Sequence, residues 1–110
     1  MRLYFLTVVL FLSAQVLANP ANTQLSGMSN TQRQDFMAKY LSKSGERCPS
    51  VSRTLFQGVD GQGNAFWSVA CTGGKSYQLM VFNNPTGSTK YLDCKLLATI
   101  NGGQCFEPFR

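Results

Sequence analysis

Four cysteines in a chain of 110 residues, at positions 48, 71, 94 and 105, constrain the possible folds more than any other feature of the sequence. A small domain buries only a modest core, so covalent cross-links contribute a large part of its stability. Four cysteines allow three pairings, and the sequence alone does not choose between them. We favour Cys48–Cys71, because a predicted hairpin brings these positions side by side. We favour Cys94–Cys105 because a glycine-containing loop lets the chain fold back between them.

Other uses of the cysteines conflict with the rest of the sequence, which has no histidine and no C-x-x-C pair. A zinc site needs close cysteine pairs or nearby histidines, and a dithiol redox motif needs C-x-x-C. A catalytic thiol needs a base such as histidine to activate it. We therefore predict two structural disulfides, no metal site and no cofactor.

The N-terminal segment has the pattern of a secretory signal peptide. Arg2 precedes an apolar stretch over 3–12, and small residues end at Ala18. The stretch is too short to span a bilayer core of about 30 Å. Disulfides form in oxidising compartments, so we expect a periplasmic or secreted protein without stable membrane insertion. The predicted organisation is a signal peptide (1–18), a flexible leader (19–28) and one disulfide-stapled domain (29–110).

A helix is predicted to begin at 29–31. Ser29 and Thr31 are both good N-cap residues, and each is followed three positions later by glutamine, as in a capping box. Gly45 is a typical C-terminal stop. Apolar residues repeat at helical spacing between these ends, namely Phe36, Met37, Tyr40 and Leu41.

From Cys48 onward the pattern changes to short β-rich runs separated by glycine turns. We predict strands over 50–59, 65–71, 76–83 and 90–97. A three-residue loop over 72–74 places Val69 opposite Tyr77, and Trp67 opposite Leu79. The prediction is an α+β fold in which one N-terminal helix packs on a four-stranded antiparallel meander.

Alternation assigns the side chains of the fourth strand to two faces. The residues predicted to point inward are Leu92, Cys94 and Leu96, and those predicted to point outward are Tyr91, Asp93 and Lys95.

Several patterns of enzyme and metal sites are absent or incomplete. The glycine-rich stretch 60–64 resembles a calcium loop, but Ala65 and Cys71 stand where the EF-hand needs glycine and glutamate. The five carboxylates fall in different predicted elements, with no spacing typical of a glycosidase. We therefore expect a protein that is not an enzyme.

Parts of the predicted domain resemble small, cysteine-containing exported proteins of Gram-negative bacteria, a group without an assigned activity. The resemblance implies a periplasmic or secreted location and transfers no catalytic residue. It depends on turn glycines, one strand tryptophan and the cysteines, in the segments 48–51, 58–63, 67–77, 93–94 and 105–106.

The predicted function is protein–protein interaction, as an inhibitor, accessory subunit or envelope-assembly factor. Met80 and Phe82 alternate with the inward-facing Tyr77 and Leu79, so they are predicted to lie on the outer face of the sheet. Two large apolar side chains there indicate that a partner shields this face from water. The predicted partner surface comprises Met80, Phe82, Tyr91, Phe106 and Phe109, with Arg53, Gln78 and Lys95 beside them.

Two alternatives stay open. Removal of Arg2 lowers the formal net charge from +5 to +4, and such a surface could bind anionic envelope polymers weakly. The remaining basic residues are scattered, which does not favour nucleic-acid binding. A histidine-free hydrolase would need two carboxylates brought together by the fold.

Overall fold

A computed structural model describes residues 19–101 and 104–107. The predicted signal peptide and Phe109 lie outside this range. Three helices and one four-stranded sheet make up the described part, so the fold is α+β. In chain order the elements are α1 (Pro20–Gly27), α2 (Asn30–Lys43), β1 (Val51–Val59), β2 (Ala65–Cys71), β3 (Ser76–Val81), β4 (Thr89–Asp93) and α3 (Cys94–Asn101).

Helix α2 begins with the predicted capping box. The backbone N–H of Gln32 donates to Ser29 Oγ at 3.1 Å, and the backbone N–H of Ser29 donates to Gln32 Oε1 at 3.1 Å. Gly45, with φ of +96°, follows the end of the helix in a conformation that glycine adopts without strain. The buried face of α2, formed by Met37, Ala38 and Leu41, packs on the sheet.

The sheet is an antiparallel meander in the order β1-β2-β3-β4. The predicted register is confirmed, because Val69 pairs with Tyr77 and Trp67 pairs with Leu79. These four side chains are buried against α2 and define the inner face of the sheet. Both predicted disulfides, Cys48–Cys71 and Cys94–Cys105, are present.

Residues 19–28 are not a flexible leader as predicted, because they contain helix α1. Asn19 caps this helix by accepting from the Asn22 backbone N–H at 3.1 Å, and proline occupies the first helical position. Leu25 is buried in the core. Asn19 is buried as well, and its side-chain amide donates to the carbonyl oxygens of Gly63 and Val81, both at 3.0 Å.

The fourth strand is shorter than predicted, because it ends at Asp93 and the chain continues as α3. The Lys95 backbone N–H donates to Asp93 Oδ1 at 2.8 Å, which satisfies a free donor at the start of the helix. Cys94, Leu96 and Lys95 therefore belong to a helix, and Leu96 is exposed rather than directed inward.

Tyr91 lies on the inner face, so its predicted outward orientation is wrong. The pairing of β3 with β4 places Tyr91 opposite Leu79, and paired residues share a face. Its ring contacts those of Tyr77 and Tyr40 edge-on, at centroid distances of 5.8 and 6.1 Å.

The same pairing places Leu92 opposite the outer-face Gln78 and Asp93 opposite the inner-face Tyr77. The predicted inward orientation of Leu92 and the predicted outward orientation of Asp93 are therefore wrong as well.

In the part of the chain that the structure describes, no helix is long and apolar enough to cross a membrane.

Candidate interaction surface

The outer face of the sheet, turned away from α2, carries a central row of polar side chains that are buried. Ser68 of β2 pairs with Gln78 of β3, and both are almost inaccessible to solvent. Ser68 Oγ lies 3.3 Å from Gln78 Oε1, and Gln78 Nε2 donates to the Trp67 carbonyl oxygen at 3.2 Å. Gln78 is thus not part of an open partner surface, contrary to our prediction.

Residues 104–107, hereafter the C-terminal strap, cover this row. Ser68 Oγ donates to the carbonyl oxygen of Cys105. Gln57 Nε2 donates to the same oxygen at 2.7 Å and to the carbonyl oxygen of Glu107 at 3.0 Å. Side chains of the sheet therefore hold the strap through its backbone carbonyl groups.

A ring contact adds to these hydrogen bonds. The guanidinium of Arg53 lies over the ring of Phe106, 4.5 Å from its centroid, as in a cation–π interaction. Phe106 is half-buried, and it is engaged within the domain. Two members of the predicted partner surface are therefore not available on the outer face. Phe106 contacts Arg53 of the same domain, and Tyr91 lies on the inner face of the sheet.

Met80 and Phe82 are half-buried on the outer side of the sheet, beyond the strap. Met80 pairs with Lys90 of β4, and Lys90 Nζ lies 5.7 Å from the centroid of the Phe82 ring. Phe82 itself follows the last residue of β3. The structure therefore groups these two apolar side chains with a cation.

Helix α3 presents an apolar pair that the sequence interpretation missed. Leu96 and Ile100 are 49% and 66% exposed, and their spacing of four residues places them on one side of the helix. Leu97 is half-buried, and the helix packs against β3 and β4. The helical spacing of 96, 97 and 100 was the available signal, but the predicted strand over 90–97 concealed it.

The carboxylate of Glu46, in the loop after α2, accepts hydrogen bonds from two phenols. Tyr77 and Tyr91 donate their phenol protons to its two oxygens, at 3.0 and 2.8 Å. Burial, followed by the hydrogen bond to Glu46, raises the pKa of Tyr77 to about 12. The hydrogen bond to Glu46 also raises the pKa of Tyr91. Both phenols thus stay protonated, and the cluster joins the loop to the sheet.

Other carboxylates have partners of their own. Lys75 Nζ lies 3.3 Å from Asp93 Oδ2, and Lys39 Nζ lies 3.1 Å from Asp35 Oδ2. The hydrogen bond from the Lys95 backbone N–H is the largest effect on Asp93 and holds its pKa below the usual value. Burial raises this pKa by a smaller amount, and the hydrogen bond from Lys75 lowers it. Within residues 19–101 and 104–107, no group of three or more cysteine or acidic side chains could hold a metal ion.

An apolar cleft of about 170 Å³ opens on the other side of the domain, between α2 and the ends of β3 and β4. Met37, Leu79 and Val81 form part of its wall, and the half-exposed Phe36 stands at its edge. It could take one small apolar group.

No protein-family model, no curated protein and no solved structure matches the chain. The resemblance to small exported bacterial proteins therefore stays a prediction, and no residue role is transferred from a relative.

Proposed function

We propose that the protein is an exported, non-enzymatic interaction module that binds another protein through α3. The observation that supports this proposal is the pair of exposed apolar side chains, Leu96 and Ile100, on one side of that helix. Exposed apolar groups at i and i+4 are the usual anchors of a helix that inserts into a groove of its partner. Leu97 is half-buried and α3 contacts β3 and β4, so the domain restrains the rotation of the helix.

The anchoring of α3 favours binding. Its first residue, Cys94, continues directly from β4 and is bonded to Cys105. A helix fixed in this way loses little conformational freedom on association, so less of the interaction free energy is spent on ordering.

The charge around the helix suggests the chemistry of the partner. Lys95 lies beside the apolar pair and is exposed, Lys90 lies on the neighbouring strand, and the chain carries a net positive charge. The complementary surface is an apolar groove with an acidic rim. Two disulfides support placing this encounter in an oxidising compartment, outside the cytoplasm.

The test compares three forms of the oxidised protein, immobilised and exposed to envelope extract at low and high salt. Wild-type protein should retain one partner at high salt, and Leu96→Asp/Ile100→Asp should lose it while keeping the same thermal unfolding midpoint. Val59→Asp is the matched control, because Val59 is 52% exposed and lies at the end of β1. A photo-crosslinker at position 100 should join the partner covalently.

Two results would contradict the proposal. Equal capture by the wild type and Leu96→Asp/Ile100→Asp would show that α3 is not the binding surface. Loss of all bound material as salt rises would instead indicate a basic surface that attracts anionic polymers, because salt screens such contacts.

A further inference from the structure

We propose that Cys94–Cys105 is a redox-sensitive latch: its reduction by a dithiol releases the C-terminal strap from the outer face, while the rest of the domain stays folded. The latch would operate whether or not α3 binds a partner. Two features support it: what the strap covers and the different surroundings of the two disulfides.

The surface beneath the strap is polar, unlike the inner face of the sheet. Gln57 and Ser68 hold the strap by donating to its carbonyl oxygens, and Gln78 completes the row. Water can replace hydrogen bonds of this kind when the strap leaves, so exposing the row costs little free energy. Exposing the inner face would bring apolar side chains into water and cost far more.

The two disulfides differ in burial and in what they join. Cys48 and Cys71 are 2% and 4% exposed and belong to the same core cluster as the inner-face residues. Cys94 is half-buried, at the start of α3, and its bond fixes the buried Cys105 of the strap. A reducing thiolate therefore reaches Cys94 Sγ more easily than either sulfur of the core disulfide.

The reduction is a two-electron exchange with a dithiol. One thiolate of the reductant attacks Cys94 Sγ, the Cys94–Cys105 bond breaks, and Cys105 leaves as a thiolate. The second thiol of the reductant then displaces Cys94, so the reductant becomes a disulfide and the protein gains two electrons and two protons.

Release has a defined structural consequence. Without the bond, the described contacts that hold the strap on the sheet include its hydrogen bonds to Gln57 and Ser68 and the stacking of the Arg53 guanidinium on the Phe106 ring. Opening uncovers the Gln57 amide and the Ser68 hydroxyl, and it frees the exposed Arg53 guanidinium from the Phe106 ring.

The first experiment treats the oxidised full-length mature protein with graded dithiothreitol and identifies the reduced cysteines by differential alkylation and mass spectrometry. We expect Cys94 and Cys105 to be reduced at least about tenfold faster than Cys48 and Cys71, because access limits attack on a disulfide. The side-chain NMR signals of Arg53 should lose the shift caused by the Phe106 ring, while Trp67 fluorescence stays constant.

The second experiment uses Cys94→Ser/Cys105→Ser, which should form Cys48–Cys71, keep the native Trp67 fluorescence and show the Arg53 signals of the reduced protein without any reductant. Three results would overturn the proposal: equal rates for both disulfides, Arg53 signals that are unchanged after reduction, or an unfolded double-serine variant. Faster reduction of Cys48–Cys71 would overturn it as well.

Discussion

The phenol of Tyr77 donates a 3.0 Å hydrogen bond to Glu46 Oε1, joining the centre of the sheet to the loop that follows α2. Tyr77 is fully buried, and Tyr91 of the neighbouring strand donates to the other oxygen of the same carboxylate. One acidic side chain therefore accepts hydrogen bonds from phenols on two neighbouring strands. The arrangement makes stability depend on the protonation of tyrosine.

We predict that the free energy of unfolding falls as the pH rises from about 10 to about 12. The pKa of Tyr77 is raised from 10.0 to about 12 in the folded protein, so the unfolded chain loses the phenol proton first. The raised pKa contributes its full stabilisation below pH 10 and loses it as the pH passes through the folded value. Urea unfolding at a series of pH values, compared between wild type and Tyr77→Phe, measures this difference. An identical pH dependence in both proteins would contradict the assignment.

Glu46→Gln separates the role of the charge from that of the hydrogen bonds. The glutamine carbonyl oxygen can still accept from one phenol, but the negative charge that favours the protonated tyrosines is gone. We expect a smaller fall in stability over the same alkaline interval, together with a loss of about 1 kcal/mol at neutral pH from the weaker hydrogen bonds. An unchanged alkaline profile in this variant would show that the Glu46 charge does not raise the pKa of Tyr77.

The hairpin of β2 and β3 could be predicted from the sequence because its determinants are local. The loop over 72–74 contains Gly73 and Gly74, both with positive φ, and its length sets the opposition of Trp67 to Leu79. The same kind of reasoning, applied to the hairpin of β1 and β2, led to the predicted Cys48–Cys71 pairing.

The two short helices could not be predicted from periodicity in the same way. Helix α1 depends on the cap formed by Asn19, whose buried amide has partners more than forty residues away. Helix α3 was concealed because Leu92, Cys94 and Leu96 alternate as they would in a strand. Alternation continues in the sequence after the strand has ended at Asp93, and it gives no sign of where pairing stops.

The docking of the C-terminal strap on the outer face also could not be predicted from sequence periodicity. The strap binds through backbone carbonyl oxygens, which every residue possesses, and the donors, Gln57 and Ser68, lie on β1 and β2. Such contacts leave no periodic signal in the sequence.

We predict that Asn19→Ala destabilises the domain by about 1–3 kcal/mol, the usual cost when buried hydrogen-bond partners are left unsatisfied. The variant removes the cap of α1 and leaves the carbonyl oxygens of Gly63 and Val81 without their amide donor. Gln24→Ala, an exposed change on the same helix, should alter stability by less than about 0.5 kcal/mol. The free energies come from urea titrations of oxidised protein. Equal effects of the two variants would show that Asn19 does not anchor α1.

We predict that Gly87→Ala destabilises the domain by about 1–3 kcal/mol through backbone strain and a steric clash. Gly87 has φ of +67°, and a Cβ atom there would lie 2.8 Å from Ala21 Cβ on α1. Gly45→Ala is the matched control, since Gly45 also has a positive φ (+96°) but open space around the added atom. The difference between the two variants in urea unfolding measures the clash. Ala21→Gly should cost less in the Gly87→Ala background than in the wild type, because it removes the clash as well as weakening α1. An equal cost in both backgrounds would show that α1 does not pack against this turn.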